Sequence, residues 1–158
     1  MNQQIDIHDR IFRFVTRGLK VIPYLPKTIE AKIIVDQYAR SLTSVGANDN
    51  EADGTSTKND FLHVCTIVRK ELKETRYWLR IIAELYPQLT VRLASLIGES
   101  EELIRIISKI IINTKAKDAY AIVHDTFGED DTKALIEKIY RNSFEAKGVT
   151  VQSFTFKT

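Results

Sequence analysis

The stretch NDFLHVCTIVRKELKETRYWLRII (residues 59–82) decides the fold. Phe61, Cys65, Val68, Leu72, Thr75, Leu79 and Ile82 recur at alternating spacings of four and three. That period is the seam of a helix packed in a bundle. Pro87 ends the helix, because proline lacks the donor and clashes with the preceding turn. Upstream, the polar, Gly54-containing segment from Asp49 to Asn59 is a loop, with Ser56 or Thr57 as the cap of the helix that follows.

Nearer the N-terminus, IHDRIFRFVTRGLKVI (residues 7–22) places Ile7, Ile11, Phe14, Val15, Leu19 and Ile22 on one helical face. Pro23 and Pro26 stop it. Thr28 caps a second helix running to about Asn50, with Ile33, Ile34, Val35, Tyr38, Leu42 and Val45 as its apolar side. Its SLTSVGAN segment (residues 41–48) is made of small side chains that let a neighbouring helix approach closely. A fourth helix covers roughly residues 89–115, with Gly98 as a soft spot. Long helices joined by short loops pack as antiparallel neighbours. The expected class is all-α, an antiparallel up-down four-helix bundle over residues 1–117 with a C-terminal extension over 118–158. In that extension, Ala119 to Phe127 is either a short helix or a continuation of the fourth. Residues 149–156 alternate like a strand, and the alternative is an unstructured end.

Composition narrows the function. The chain has 158 residues with one cysteine and six glycines, which excludes a disulfide framework, a Cys-cluster metal site and collagenous or low-complexity classes. No apolar run approaches the ~20 residues a membrane span needs. The opening MNQQIDIHDR lacks the pattern of a signal peptide, and a cytoplasmic location is expected. There is no phosphate-cradling glycine loop and no nucleophile elbow. His8, His63 and His124 lie far apart. Cys65 sits on the apolar seam as a structural thiol, and His8 beside Asp9 reads as a solvated first turn. No catalytic residue, metal or cofactor is expected, and the chain is read as a non-enzyme.

The formal net charge is +2. It averages a basic part against an acidic one: residues 1–117 carry 18 Lys+Arg and 14 Asp+Glu, whereas residues 118–158 carry 5 and 7. On helix three, Arg69, Lys73, Arg76 and Arg80 fall within an arc of about 60°, flanked by Lys70 and Tyr77. Like charges one turn apart repel. The functional reading is a phosphate-backbone track with Tyr77 available to stack on a base. The structural reading is a solvated face met by acids such as Asp36 or Asp9. Helix one adds Arg10, Arg13, Arg17 and Lys20, with Arg13, Arg17 and Lys20 sharing a face. Glu71 and Glu74 lie on the opposite side of helix three, where pairing with Arg40 or another bundle cation is favoured over acid–base chemistry. The segment LIRIISKIII (residues 103–112) is apolar nearly all round, so Ile104, Ile107 and Ile111 are expected to contribute an oligomer interface; cover by the tail is the alternative.

Two segments carry a resemblance. TSVGANDNEA (residues 43–52) supplies Ser44, Val45, Gly46, Ala47, Asn48, Glu51 and Ala52. Helix three supplies Asp60, Phe61, His63, Ile67, Lys70, Glu71, Glu74, Thr75, Tyr77, Trp78 and Leu79. Together they resemble the small bacterial four-helix-bundle proteins of the 23S ribosomal RNA intervening-sequence family, over residues 7–115. Val68 and Arg69 depart from the small apolar pair usual there. The resemblance implies a ring-like homopentamer without catalysis. It also implies kinship with accessory proteins of diversity-generating retroelements, which bind a reverse transcriptase and nucleic acid. The function expected is therefore RNA or DNA binding through basic helix faces. The alternative is an adaptor that docks a partner such as a reverse transcriptase through residues 118–158, a region the resemblance does not cover.

Overall fold

In the computed structural model, residues 6–127 and residue 138 are described, with side chains to Ala116 in the helical region. Four α-helices follow one another: α1 (Ile7–Leu19), α2 (Ile29–Asp53), α3 (Lys58–Leu85) and α4 (Thr90–Phe127). Single 3₁₀ turns at Ile22–Tyr24 and Pro87–Leu89 mark the two proline-bearing connections. No strand occurs among the described residues. The all-α bundle is as expected. α1 ends at Leu19, earlier than its periodicity suggests, and the first 3₁₀ turn follows at Ile22–Tyr24. Residues 119–127 continue α4. The strand expected at 149–156 falls outside the described residues.

Each of the first three helices starts on a side chain that satisfies an orphan backbone donor. The Asp6 carboxylate accepts from the His8 N–H, the Thr28 hydroxyl from Ala31 N–H at 3.2 Å, and the Thr57 hydroxyl from Asp60 N–H at 3.1 Å. The Thr57 hydroxyl also donates to the Asp60 carboxylate at 2.6 Å, a second contact between the cap and the first turn.

The chain divides into two compact units, Met1–Ile111 and Ile112–Thr158. The first holds the core. The seam of α3 is buried at Cys65, Val68, Leu72, Thr75, Leu79 and Ile82, and half-buried at Phe61. It meets Tyr38, Leu42 and Val45 of α2, Ile11 and Phe14 of α1, and Leu93, Leu96 and Leu103 of α4. Between α2 and α3, Thr75 donates to the Ser41 hydroxyl at 3.1 Å, and Ser41 donates on to the Tyr38 carbonyl. A small residue in SLTSVGAN thus becomes a buried polar link. Gly18 of α1 lies where a Cβ would stand 2.6 Å from Leu42 Cδ2 and 2.8 Å from the Tyr38 hydroxyl oxygen. Only glycine lets α1 and α2 approach this closely.

The sequence reading puts Ile104, Ile107 and Ile111 at an oligomer interface. Ile107 and Ile111 are buried in the chain's own core. Leu103, Ile107 and Ile111 recur every four residues and so share the inward face. Ile104 and Ile110 flank that face and pack half-buried against the core. Ile33, on the apolar side of the α2 pattern, deviates the other way at 61% exposed, and Ile29 beside it in the first turn is 80% exposed.

Candidate nucleic-acid interface

The sequence could not say how the cations of α1 and α3 sit relative to each other. α4 settles this, because it is the antiparallel neighbour of both. Arg10 Nε donates to Glu99 at 2.6 Å, and its Nη2 also pairs with Glu102. Arg17 donates to Ser95 at 3.2 Å. On the other side, Arg76 lies 3.7 Å from Glu101, and the Thr90 hydroxyl donates to the Ala83 carbonyl at 3.2 Å. Arg13 and Lys20 lie within about 60° of Arg17 around α1, and Arg69, Lys73 and Arg80 within about 60° of Arg76 around α3. Both stripes therefore border α4.

The stripes are not uniformly charged. Arg10 and Arg76 are neutralised by Glu99, Glu102 and Glu101, so the acids meeting them come from α4 rather than from Asp36 or Asp9. The two carboxylates hold Arg10 charged: their hydrogen bonds raise its pKa. Reciprocally, the Arg10 hydrogen bond lowers the Glu102 pKa. Among the described residues, Arg13, Lys20, Arg69, Lys70, Lys73 and Arg80 have no carboxylate within ion-pair distance. Lys70 and Tyr77 border the α3 arc, Tyr77 exposed and Lys70 exposed beside it. From Thr90 to Gly98, α4 reads TVRLASLIG and bears Arg92 as its charged residue. Lys20 and Arg80, with Arg92, lie toward the end where α4 begins, whereas Arg13 lies in the middle of α1 and Arg69, Lys70 and Lys73 in the middle of α3. Arg92 also stacks 3.8 Å over the ring of Tyr24.

Glu71 and Glu74 do not pair with Arg40. Glu74 accepts the Trp78 indole N–H at 3.4 Å, and burial followed by the charge of Glu74 raises the Glu71 pKa. His8 is also placed differently from its sequence reading. Its Nδ1 lies 3.0 Å from Asp49 Oδ2, tying α1 to α2. Burial alone would lower the His8 pKa, but Asp49, with Asp6 and Asp53, outweighs it and raises it. Burial likewise raises Asp49, against the pull of His8. The pair is 41 residues apart, so no local spacing could have revealed it. Cys65 is buried, and burial followed by the charge of Asp49 pushes its thiol up, away from the nucleophilic thiolate. No group of three or more His, Cys, Asp or Glu suited to a metal ion occurs among the described residues. No helix among them is long and apolar enough to cross a membrane.

Against known families, residues 3–109 match the model of the 23S rRNA-intervening sequence protein. The chain belongs to that family. The match spans α1 to the middle of α4, the unit that carries both cation stripes. Among solved structures, a protein of unknown function from the S23 ribosomal protein family of Bacteroides thetaiotaomicron is similar at 27% identity and a TM-score of 0.62. That similarity covers 67% of this chain and 98% of the other. A search of curated proteins finds no match. Family membership accounts for the helical bundle. The departure at Arg69 adds a cation inside the α3 arc.

Proposed function

We propose that this family member is a non-enzymatic, cytoplasmic bundle protein that binds the RNA or DNA backbone through the two cation stripes bordering α4. The observation that carries the reading is the bordering itself. Arg17 of α1 and Arg76 of α3 meet α4 from its two neighbours, and Arg13 and Lys20, and Arg69, Lys73 and Arg80, share their respective helix faces. The α4 carboxylates neutralise only Arg10 and Arg76 among the described residues. A spread of uncompensated cations attracts a polyanion through release of its counterions, and the affinity then falls steeply with salt. Self-association multiplies such a field. Ile29, Ile33 and Leu85 offer exposed apolar surface for it, whereas Ile107 and Ile111 lie inside the chain.

Fluorescence anisotropy with a labelled short RNA across a salt series tests the reading. Replacing Arg69, Lys73, Arg76 and Arg80 together by Gln should weaken binding and flatten the log–log salt slope by about 0.7 to 0.9 for each phosphate no longer neutralised. Absence of binding at low salt, or an unchanged slope in the quadruple variant, refutes it.

A further inference from the structure

We propose that the α3 face selects unpaired, single-stranded nucleic acid over duplex, with Tyr77 as a base-stacking platform set between cations. The inference rests on the nucleic-acid reading above and names the class of strand.

Tyr77 is 57% exposed. Its one-turn neighbours on α3 are Lys73, Glu74, Arg80 and Ile81, so a cation stands in each direction along the helix, while the Glu74 carboxylate accepts from the Trp78 indole. The ring is also braced. Trp78 meets it edge to face, with centroids 5.1 Å apart and an interplanar angle of 70°. Trp78 is itself fixed, because its indole N–H donates to Glu74 and its body packs against the core. A ring already held in place loses less freedom when a base settles on it.

Among the described residues, the other exposed aromatics lack one of these features. Tyr24 is 56% exposed, but Arg92 occupies one ring face at 3.8 Å. Phe12 is exposed on α1, but its neighbours one turn away are His8, Asp9, Val15 and Thr16, with no Lys or Arg among them. In a duplex, base faces are taken by neighbouring base pairs, and a surface tyrosine reaches only phosphates. In a single strand, the faces are free while the backbone follows the cations. From Arg69 to Arg80 the track runs about 16 Å at 1.5 Å per residue. That combination of a positive track and a stacking ring is how single strands are held without sequence preference.

The test uses the full chain with two labelled probes: a single-stranded RNA of roughly 12 nucleotides, and the duplex of the same sequence. The expected result is at least ~10-fold tighter binding of the single strand at equal salt. Y77L should lose about 5- to 100-fold for the single strand and leave the duplex unchanged, while Y77F keeps most of the affinity. Circular dichroism confirms that each variant is folded, and the preference of the unaltered chain for one probe needs no variant. Equal binding of both probes, or equal loss of both in Y77L, overturns the stacking inference and leaves the backbone reading standing. Failure of both probes to bind at low salt refutes the backbone reading and the inference with it.

Discussion

Gly18 offers a direct test of how the bundle is packed, because two effects of known sign oppose each other there. Replacing glycine by alanine in a helix stabilises by roughly 0.5–1 kcal/mol, since the unfolded chain loses freedom. At Gly18 that gain lies at the low end, because the residue sits in the last turn of α1. The opposing effect is steric. The new methyl would stand 2.6 Å and 3.1 Å from the two Leu42 methyls and 2.8 Å from the Tyr38 hydroxyl. Ordinary carbon contacts lie at about 3.5–4.0 Å, so the overlap is close to an ångström. Tyr38 and Leu42 are both fully buried and have no solvent to move into. Overpacking of this kind costs about 1–3 kcal/mol. G18A should therefore be less stable than the parent by about 0.5–2.5 kcal/mol, or roughly 2–10 °C in Tm. Gly98 is the internal control. It lies within α4, and its Cβ would meet nothing within 4 Å. G98A should gain about 0.5–1 kcal/mol, the helix-propensity effect alone. Urea titrations followed by circular dichroism at one fixed protein concentration read both. If G18A matches or exceeds the parent, or if G98A is destabilised, the packing argument for α1 against α2 is wrong.

Further outcomes follow from the same geometry. The Tyr38 hydroxyl is buried without a hydrogen-bond partner, so Y38F should be neutral or more stable by up to about 1 kcal/mol; a clear loss in a thermal melt contradicts this. Arg10 joins α1 to α4 through two carboxylates, and R10Q should destabilise by about 1 kcal/mol, with the difference shrinking in high salt when measured by urea titration. His8 has a raised folded pKa, so its contribution is complete below the unfolded value of 6.5 and is lost as pH rises through the folded value. Its side chain is 40% exposed, which limits the effect to about 0.5 kcal/mol. Stability of the parent should therefore fall slightly more than that of H8Q between about pH 6 and pH 8, and parallel pH profiles for the two proteins contradict the assignment.

Amino-acid order is enough to specify the helices, because their signals are local. The 4–3 seam from Phe61 to Ile82, the caps at Thr28 and Thr57, and the proline stops near residues 23 and 87 act within one or two turns. The same local patterns carried the cation arcs, since the helical repeat fixes which side chains share a face. Which arc meets which acid depends instead on how the helices are arranged in space. Glu99, Glu101 and Glu102 stand at no fixed spacing from Arg10 or Arg76, and only the antiparallel placement of α4 brings them together. The same holds for His8 with Asp49, for the close approach at Gly18, and for the burial of Ile107 and Ile111, which a helical pattern shows as apolar without saying what covers them. The net charge of +2 was likewise uninformative as a sum. The fold gives it meaning by pairing Arg10 and Arg76 with α4 carboxylates, while Arg13, Lys20, Arg69, Lys73 and Arg80 have no carboxylate within ion-pair distance among the described residues.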